Sequence, residues 1–213
     1  MGEIATQVLL GLPWTLAVTA LALLIGVALG MPLMLARSSR RLWLKLLSGS
    51  IITLVRSIPP IVWLFVIFFG IGSGYFRISP FTAAVIGLGL ISSAYMAEIY
   101  RGALLSIHSG QAEGAAALGL HPVRVWIDVI MPQLFRVALP AMATFAIGLL
   151  KDSAIASTIG VPELTFQANA QSMATYRGME VFSFVAAVYI VISLPVAWLS
   201  RDLDSRMRAK VSR

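Results

Sequence analysis

Long stretches without a charged residue alternate with short basic segments along this chain, and the alternation predicts five membrane-spanning helices. Ile4 to Ala36 carries no charge; it exceeds the about 20 apolar residues a helix needs to cross hydrocarbon, and predicts a first span over about 8–36. Pro13 suits a first helical turn, and Pro32 is expected to kink or finish the span. A basic loop with Arg37, Arg40, Arg41 and Lys45 follows. The second span is expected over about 51–71, with Arg56 near its start reaching for the interface, and Gly70, Gly72 and Gly74 then mark a turn. The third, about 79–104, is uncharged to Ala97, after which Glu98 and Arg101 lie three apart on one helical face, where they can pair. The fourth is expected over about 133–150. Its uncharged part, Val137 to Leu150, is too short for a full crossing unless protein covers its ends. Asp152 to Glu180 is mixed and reads as short helices with a re-entrant or outer loop. A fifth span over about 181–200 precedes a basic tail of Arg201, Arg206, Arg208, Lys210 and Arg213. The expected fold is all-α: a polytopic membrane protein, residues 1–213 forming one transmembrane domain.

Composition agrees. Hydrophobic residues make up 59% of the chain and charged residues 12%, at a mean hydropathy of +0.90, values that exclude an ordinary soluble domain. There is no cysteine, which removes disulfides and thiolate metal sites. A net charge of +7 can signal nucleic acid, but here the basic residues flank the apolar spans. Thirteen of the sixteen fall on one side of the predicted membrane, Arg77, Lys151 and Arg177 on the other. Positive charge stays in the cytoplasm, so the N-terminus is expected outside, and the loop after span three and the C-terminus inside.

That loop holds the most informative stretch, Gln111 to Pro132. Gly110 is expected as N-cap, with the Glu113 carboxylate reaching back to the first free amides. Strong helix formers run from Ala112 to Leu118, and Gly119 is suited to end the helix in a left-handed conformation. A helix over about 111–119 is too short to cross a bilayer or to stand alone. It must dock. Gly114, Ala115 and Ala117 leave a face on which a partner's backbone can come close, and the lack of large apolar residues argues against burial in a membrane surface.

Glu113-Gly114-Ala115, three residues, Gly119, nine residues, then Val129-Ile130-Met131-Pro132 resembles the EAA loop of ATP-binding-cassette (ABC) importer permeases. Gly114, Val129 and Met131 depart from the usual Ala, Ile and Leu of that pattern. Arg56-Ser57-Ile58-Pro59-Pro60, Ala94 to Gly102, Gly110 to Glu113 and Lys151-Asp152-Ser153 are similar to the polar amino-acid permease family, in order and across nearly the whole chain. The resemblance implies a type I importer permease whose short cytoplasmic coupling helix, with Gln111, Glu113, Gly114, Ala115, Ala117 and Gly119, sits in a cleft of a cytoplasmic ATPase. It further implies an ATPase dimer that binds ATP and Mg, a second permease chain (identical or paralogous), an extracytoplasmic solute-binding protein, membrane lipid around the spans, and no cofactor in this chain.

Glu98, Arg101, Lys151, Asp152 and Ser153 are the candidates for a substrate path or gate, since ionisable groups within spans are costly and functional by default. Glu98 and Arg101 read equally as a structural ion pair, and Lys151 and Asp152 as an outer-interface anchor. Covalent chemistry is excluded: Ile71 stands two residues before Ser73, where a membrane serine protease needs glycine, and His108 and His121 are placed across the membrane from it. Without a Gly-Lys-Ser or Gly-Lys-Thr phosphate loop the chain cannot hydrolyse ATP. The alternative is half of a secondary carrier or a non-transport scaffold subunit, but no internal repeat of the kind carriers show is evident.

Overall fold

The computed structural model describes residues 2–72 and 77–211, with side chains through Trp198 and at Asp202. Ser73 and Gly74 of the expected turn, and Arg213 of the tail, lie outside them. Nine helices and no strand make up the described residues: α1 (Gly2–Leu9), α2 (Leu12–Arg37), α3 (Leu42–Ser57), α4 (Pro60–Ile71), α5 (Pro80–Ser106), α6 (Gly110–Ala117), α7 (Pro122–Ile159), α8 (Leu164–Thr175) and α9 (Gly178–Val211). Four stretches are long and apolar enough to cross a membrane, or five when α3 and α4 count as one broken span.

Span one is interrupted: the chain turns at Leu10 and Gly11, so the predicted 8–36 helix is α1 followed by α2. Pro13 sits in the first turn of α2, as expected, but the helix continues through Pro32 to Arg37. The second expected span, 51–71, is corrected more deeply. Ile58 precedes a proline and is forced extended, at φ −95° and ψ 131°, and the axes of α3 and α4 diverge by 101° around it. Trp63 Nε1 donates to the Val55 carbonyl at 3.1 Å and braces the corner. Arg37 Nη1 donates to the Lys45 carbonyl at 3.1 Å, closing the turn between α2 and α3.

The fourth span is not short. Met131 to Asp152 is α-helical, extended by a π-helical stretch at Val125–Ile130 and a 3-10 turn at Ser153–Ile159 into 38 continuous residues. Arg124, Asp128 and Arg136 are therefore carried on helix that continues past the apolar run, since charges at span ends do not stop a helix. Gly160, at φ 92°, ends it.

Helix α5 is the centre of the bundle, with most of its apolar stretch buried. Ser79 caps it, accepting the Thr82 amide at 3.1 Å, and Pro80 occupies the first turn. It packs along α2 through Gly26 and Gly30, a four-residue spacing that lets two helix backbones approach. A Cβ added at Gly26 would lie 2.5 Å from Ser92 Cβ, and one at Gly30 2.5 Å from Met96 Cβ. The main core joins Val18, Ala22 and Met34 of α2 to Leu88, Met96 and Tyr100 of α5 and Leu134 and Leu149 of α7.

Candidate coupling site

Helix α6 is held between the end of α5 and the start of α7. The first helical residue is Gly110, not the N-cap predicted for it; Ser109 takes that position and its hydroxyl makes no capping bond. The Gly110 amide donates instead to His108 Nδ1 at 3.0 Å, and His121 Nδ1 accepts the Val123 amide at 3.4 Å at the start of α7. Glu113 does not fold back onto the helix start. Its carboxylate is exposed and without a hydrogen-bond partner among the described residues, because the amides it was expected to cap are served by His108 and by backbone carbonyls.

The helix ends as predicted. Gly119 stands at φ 76°. Its amide donates to Ala116 at 2.9 Å and the next amide, Leu120, to Ala115 at 3.2 Å, the paired bonds of a Schellman motif. Leu120 then packs with Ala112 and Ala115 on Val125, Val129 and Ile130, anchoring the helix on α7.

This packing divides the predicted contact face. Ala115 is buried against the chain's own α7, where the expectation put it on the partner's side. Gln111, Glu113, Gly114, Ala117, Leu118 and Gly119 remain exposed, Leu118 at 84%. Nothing lies within 4 Å of a Cβ added at Gly114. Gln111 is oriented by Gln133 Nε2, which donates to its Oε1 at 3.2 Å. The result is a short packed helix that leaves a carboxylate, a glycine and a leucine exposed.

The five candidate path residues separate into two groups with no described contact between them. Arg101 clamps Glu98 with Nε at 3.0 Å and Nη2 at 2.7 Å from Oε2, both side chains partly exposed. This is the ion pair expected from the spacing. It lies about 12 Å along α5 from the helix end that feeds α6. Lys151 and Asp152 are exposed near the far end of α7, about 30 Å of helix beyond Ile130. Ser153 is buried, its hydroxyl donating to the Leu150 carbonyl at 2.7 Å, so it serves the helix end.

Residues 22–209 match the family of binding-protein-dependent transport system inner membrane components. The chain belongs to that family. It is 35% identical to the glutamine transport system permease GlnP of Escherichia coli (strain K12), over 93% of this chain and 91% of that protein. It is likewise 35% identical to the probable amino-acid ABC transporter permease YckA of Bacillus subtilis (strain 168), over 93% and 88%. Among solved structures, an amino acid ABC transporter with histidines superposes at a TM-score of 0.88 with 36% identity, covering 97% of this chain and 96% of that one. The inward-facing MetNI methionine transporter, at 22% identity and a TM-score of 0.79, shares the fold. The chain is thus an ABC transporter permease subunit, a multi-pass membrane protein and not an enzyme. ATP is hydrolysed by a separate subunit, and nothing supports a carrier half or a scaffold.

Two features of the permease escaped the sequence reading. Arg56, expected to reach for the interface, has its guanidinium over the Tyr95 ring at 4.7 Å, and Tyr95 stacks on Phe145 at 5.1 Å. A cation over an aromatic face links the α3 corner to α5 and α7. The second is Glu163, wholly buried just before α8. Its Oε1 accepts the Phe166 amide at 2.8 Å; Tyr189 and Thr15 hydroxyls lie 3.2 and 3.4 Å from Oε2. Burial pushes this carboxyl above the ordinary glutamate range, opposed in part by those hydrogen bonds. A Glu three residues before Phe166, at a helix start, was the available signal.

Proposed function

We propose that this permease passes polar amino acids, or related small polar solutes, inward across a bacterial inner membrane, with α6 as the element through which ATP hydrolysis is transmitted. Two permease chains would pair, and an ATPase dimer binding ATP and Mg would grip one coupling helix on each. An extracytoplasmic binding protein would deliver solute to the opposite face. The observation that carries this reading is the exposed Glu113–Gly119 face of a short helix packed on the end of α5 and the start of α7. A push on α6 can then move both spans together, which is what a shift between two access states requires. The solute class rests on the amino-acid permeases to which the chain is similar over most of its length. The thirteen-to-three distribution of basic residues supports an outside N-terminus, with α6 and the C-terminus cytoplasmic.

The test is uptake of radiolabelled L-glutamine, L-arginine and L-histidine into vesicles holding the permease with its partner ATPase and binding protein. ATP-dependent accumulation of at least one supports the reading; accumulation without ATP or without the ATPase refutes it. Orientation is read from single cysteines. One at Ser38 should resist an impermeant thiol reagent in intact cells, and one at Met173, exposed on α8, should react.

A further inference from the structure

Glu163 stands where two separate apolar clusters of the permease meet. The larger runs through α2, α3, α4, α5 and α7 to Val161; the smaller joins Ile4 and Val8 of α1, Leu164 and Ala168 of α8, and Val181 and Val185 of α9. The chain passes between them early in α2, beyond Leu12, and again between Val161 and Leu164, just after the left-handed Gly160. Thr15 comes from α2, whose Val18 and Ala22 lie in the first cluster, and Tyr189 from α9 packs on the second. Glu163 bonds to both hydroxyls, and Thr15 Oγ1 also accepts the Leu164 amide at 3.1 Å. Gly11 lies so close that a Cβ there would be 2.5 Å from the Glu163 carbonyl carbon, so the two segments meet in one register.

We propose that Glu163 is a positioning residue for transport: its buried carboxyl ties α8 to both α2 and α9 and so sets the geometry of the membrane face opposite α6. A carboxyl in apolar surroundings is costly unless its lone pairs are met, and a well-packed apolar side chain is often as stable or more so. What the carboxyl adds is direction, since one oxygen holds the start of α8 and the other holds two helices that approach from different sides. Protonation of Oε2 turns an acceptor into a donor, so the Thr15 and Tyr189 hydroxyls can no longer both donate to it and the bonds to α2 and α9 rearrange. The titratable group facing Glu163 is the Tyr189 phenol of α9. Thr15 of α2 and the Thr165 and Phe166 amides of α8 carry no charge, and no charged side chain acts on it from α1, α2 or α9 among the described residues.

This inference rests on the permease reading, and the experiment separates the two. Vesicles holding the whole importer are loaded with ATP and offered a radiolabelled mixture of L-glutamine, L-arginine and L-histidine, with wild type, Glu163→Ala, Glu163→Gln and Tyr189→Phe compared. Glu163→Ala should assemble with the ATPase and keep its basal hydrolysis while the maximal uptake rate falls about tenfold at little change in KM. Glu163→Gln should recover most of that rate and show a weaker dependence of uptake on pH than wild type above the ordinary glutamate range. Tyr189→Phe should fall between them. Wild-type uptake by Glu163→Ala, or a Glu163→Gln pH profile superimposable on that of wild type, overturns the proposal. So does a joint loss of assembly and uptake in both Glu163 variants, which would make the residue one of folding alone. Failure of wild type to accumulate any of the three amino acids counts against the proposed solute class instead.

Discussion

The Leu120 amide reaches back 3.2 Å to the Ala115 carbonyl, and in doing so turns Ala115 inward and leaves Glu113 and Gly114 outward. The turn depends on Gly119 at φ 76°, where a side chain with a Cβ is strained by about 1 kcal/mol. Gly119→Val should therefore leave the spans inserted while the ATPase is held weakly or its hydrolysis no longer answers to solute. Co-purification of the ATPase and solute-stimulated hydrolysis in vesicles measure this; full association with full stimulation would make α6 a bystander.

Glu113 supports the same site by a different route. Because its carboxylate has no partner among the described residues, Glu113→Lys should not lower the thermal unfolding midpoint of the permease. A reversed charge on a docked surface should nonetheless weaken ATPase binding by about tenfold or more. A parallel fall in midpoint and binding would show that the carboxylate serves the permease's own fold.

At Gly26 the expected effect is on stability. A leucine there must displace Ser92, whose Cβ would lie 2.5 Å from the new Cβ, and overpacking of this kind costs about 1–3 kcal/mol. The Gly26→Leu permease should melt at clearly lower temperature in detergent, whereas Gly114→Ala, with open space around it, should melt like wild type.

Glu163 predicts a pH dependence with a definite sign. Burial raises its folded-state value above that of the unfolded chain, so the native state holds the proton more tightly. The stability it contributes is present below the unfolded value of about 4.3 and is lost as pH rises through the folded value. Wild-type permease should thus melt lower at neutral pH than at mildly acidic pH by more than Glu163→Gln does. Midpoints measured in detergent across that range check it; equal slopes for both proteins would refute it.

For the far end of α7, Asp152→Asn should slow uptake while leaving the ATPase bound, if the exposed carboxylate lines the path. Unchanged uptake kinetics would leave Asp152 as an anchor at the membrane edge.

The apolar segments, the short helix α6 and its left-handed end were readable from the chain alone because each depends on neighbours in sequence. An absence of charge over a membrane's thickness, helix formers between two glycines, and an Arg three residues after a Glu are local facts. Tertiary structure decided the rest. The corner at Ile58 separates what hydropathy merged, since a proline's effect on the preceding residue does not alter an apolar average. The inward turn of Ala115 needed α7 to pack against, and the necessity of Gly26 needed Ser92 across a helix pair. Arg56 over Tyr95 joins residues on two helices. Glu163 meets Thr15 over 148 positions and Tyr189 over 26. A buried carboxyl of this kind cannot be told from a surface glutamate in the sequence, because what makes it tolerable, a set of donors converging from three helices, exists only once the helices have packed.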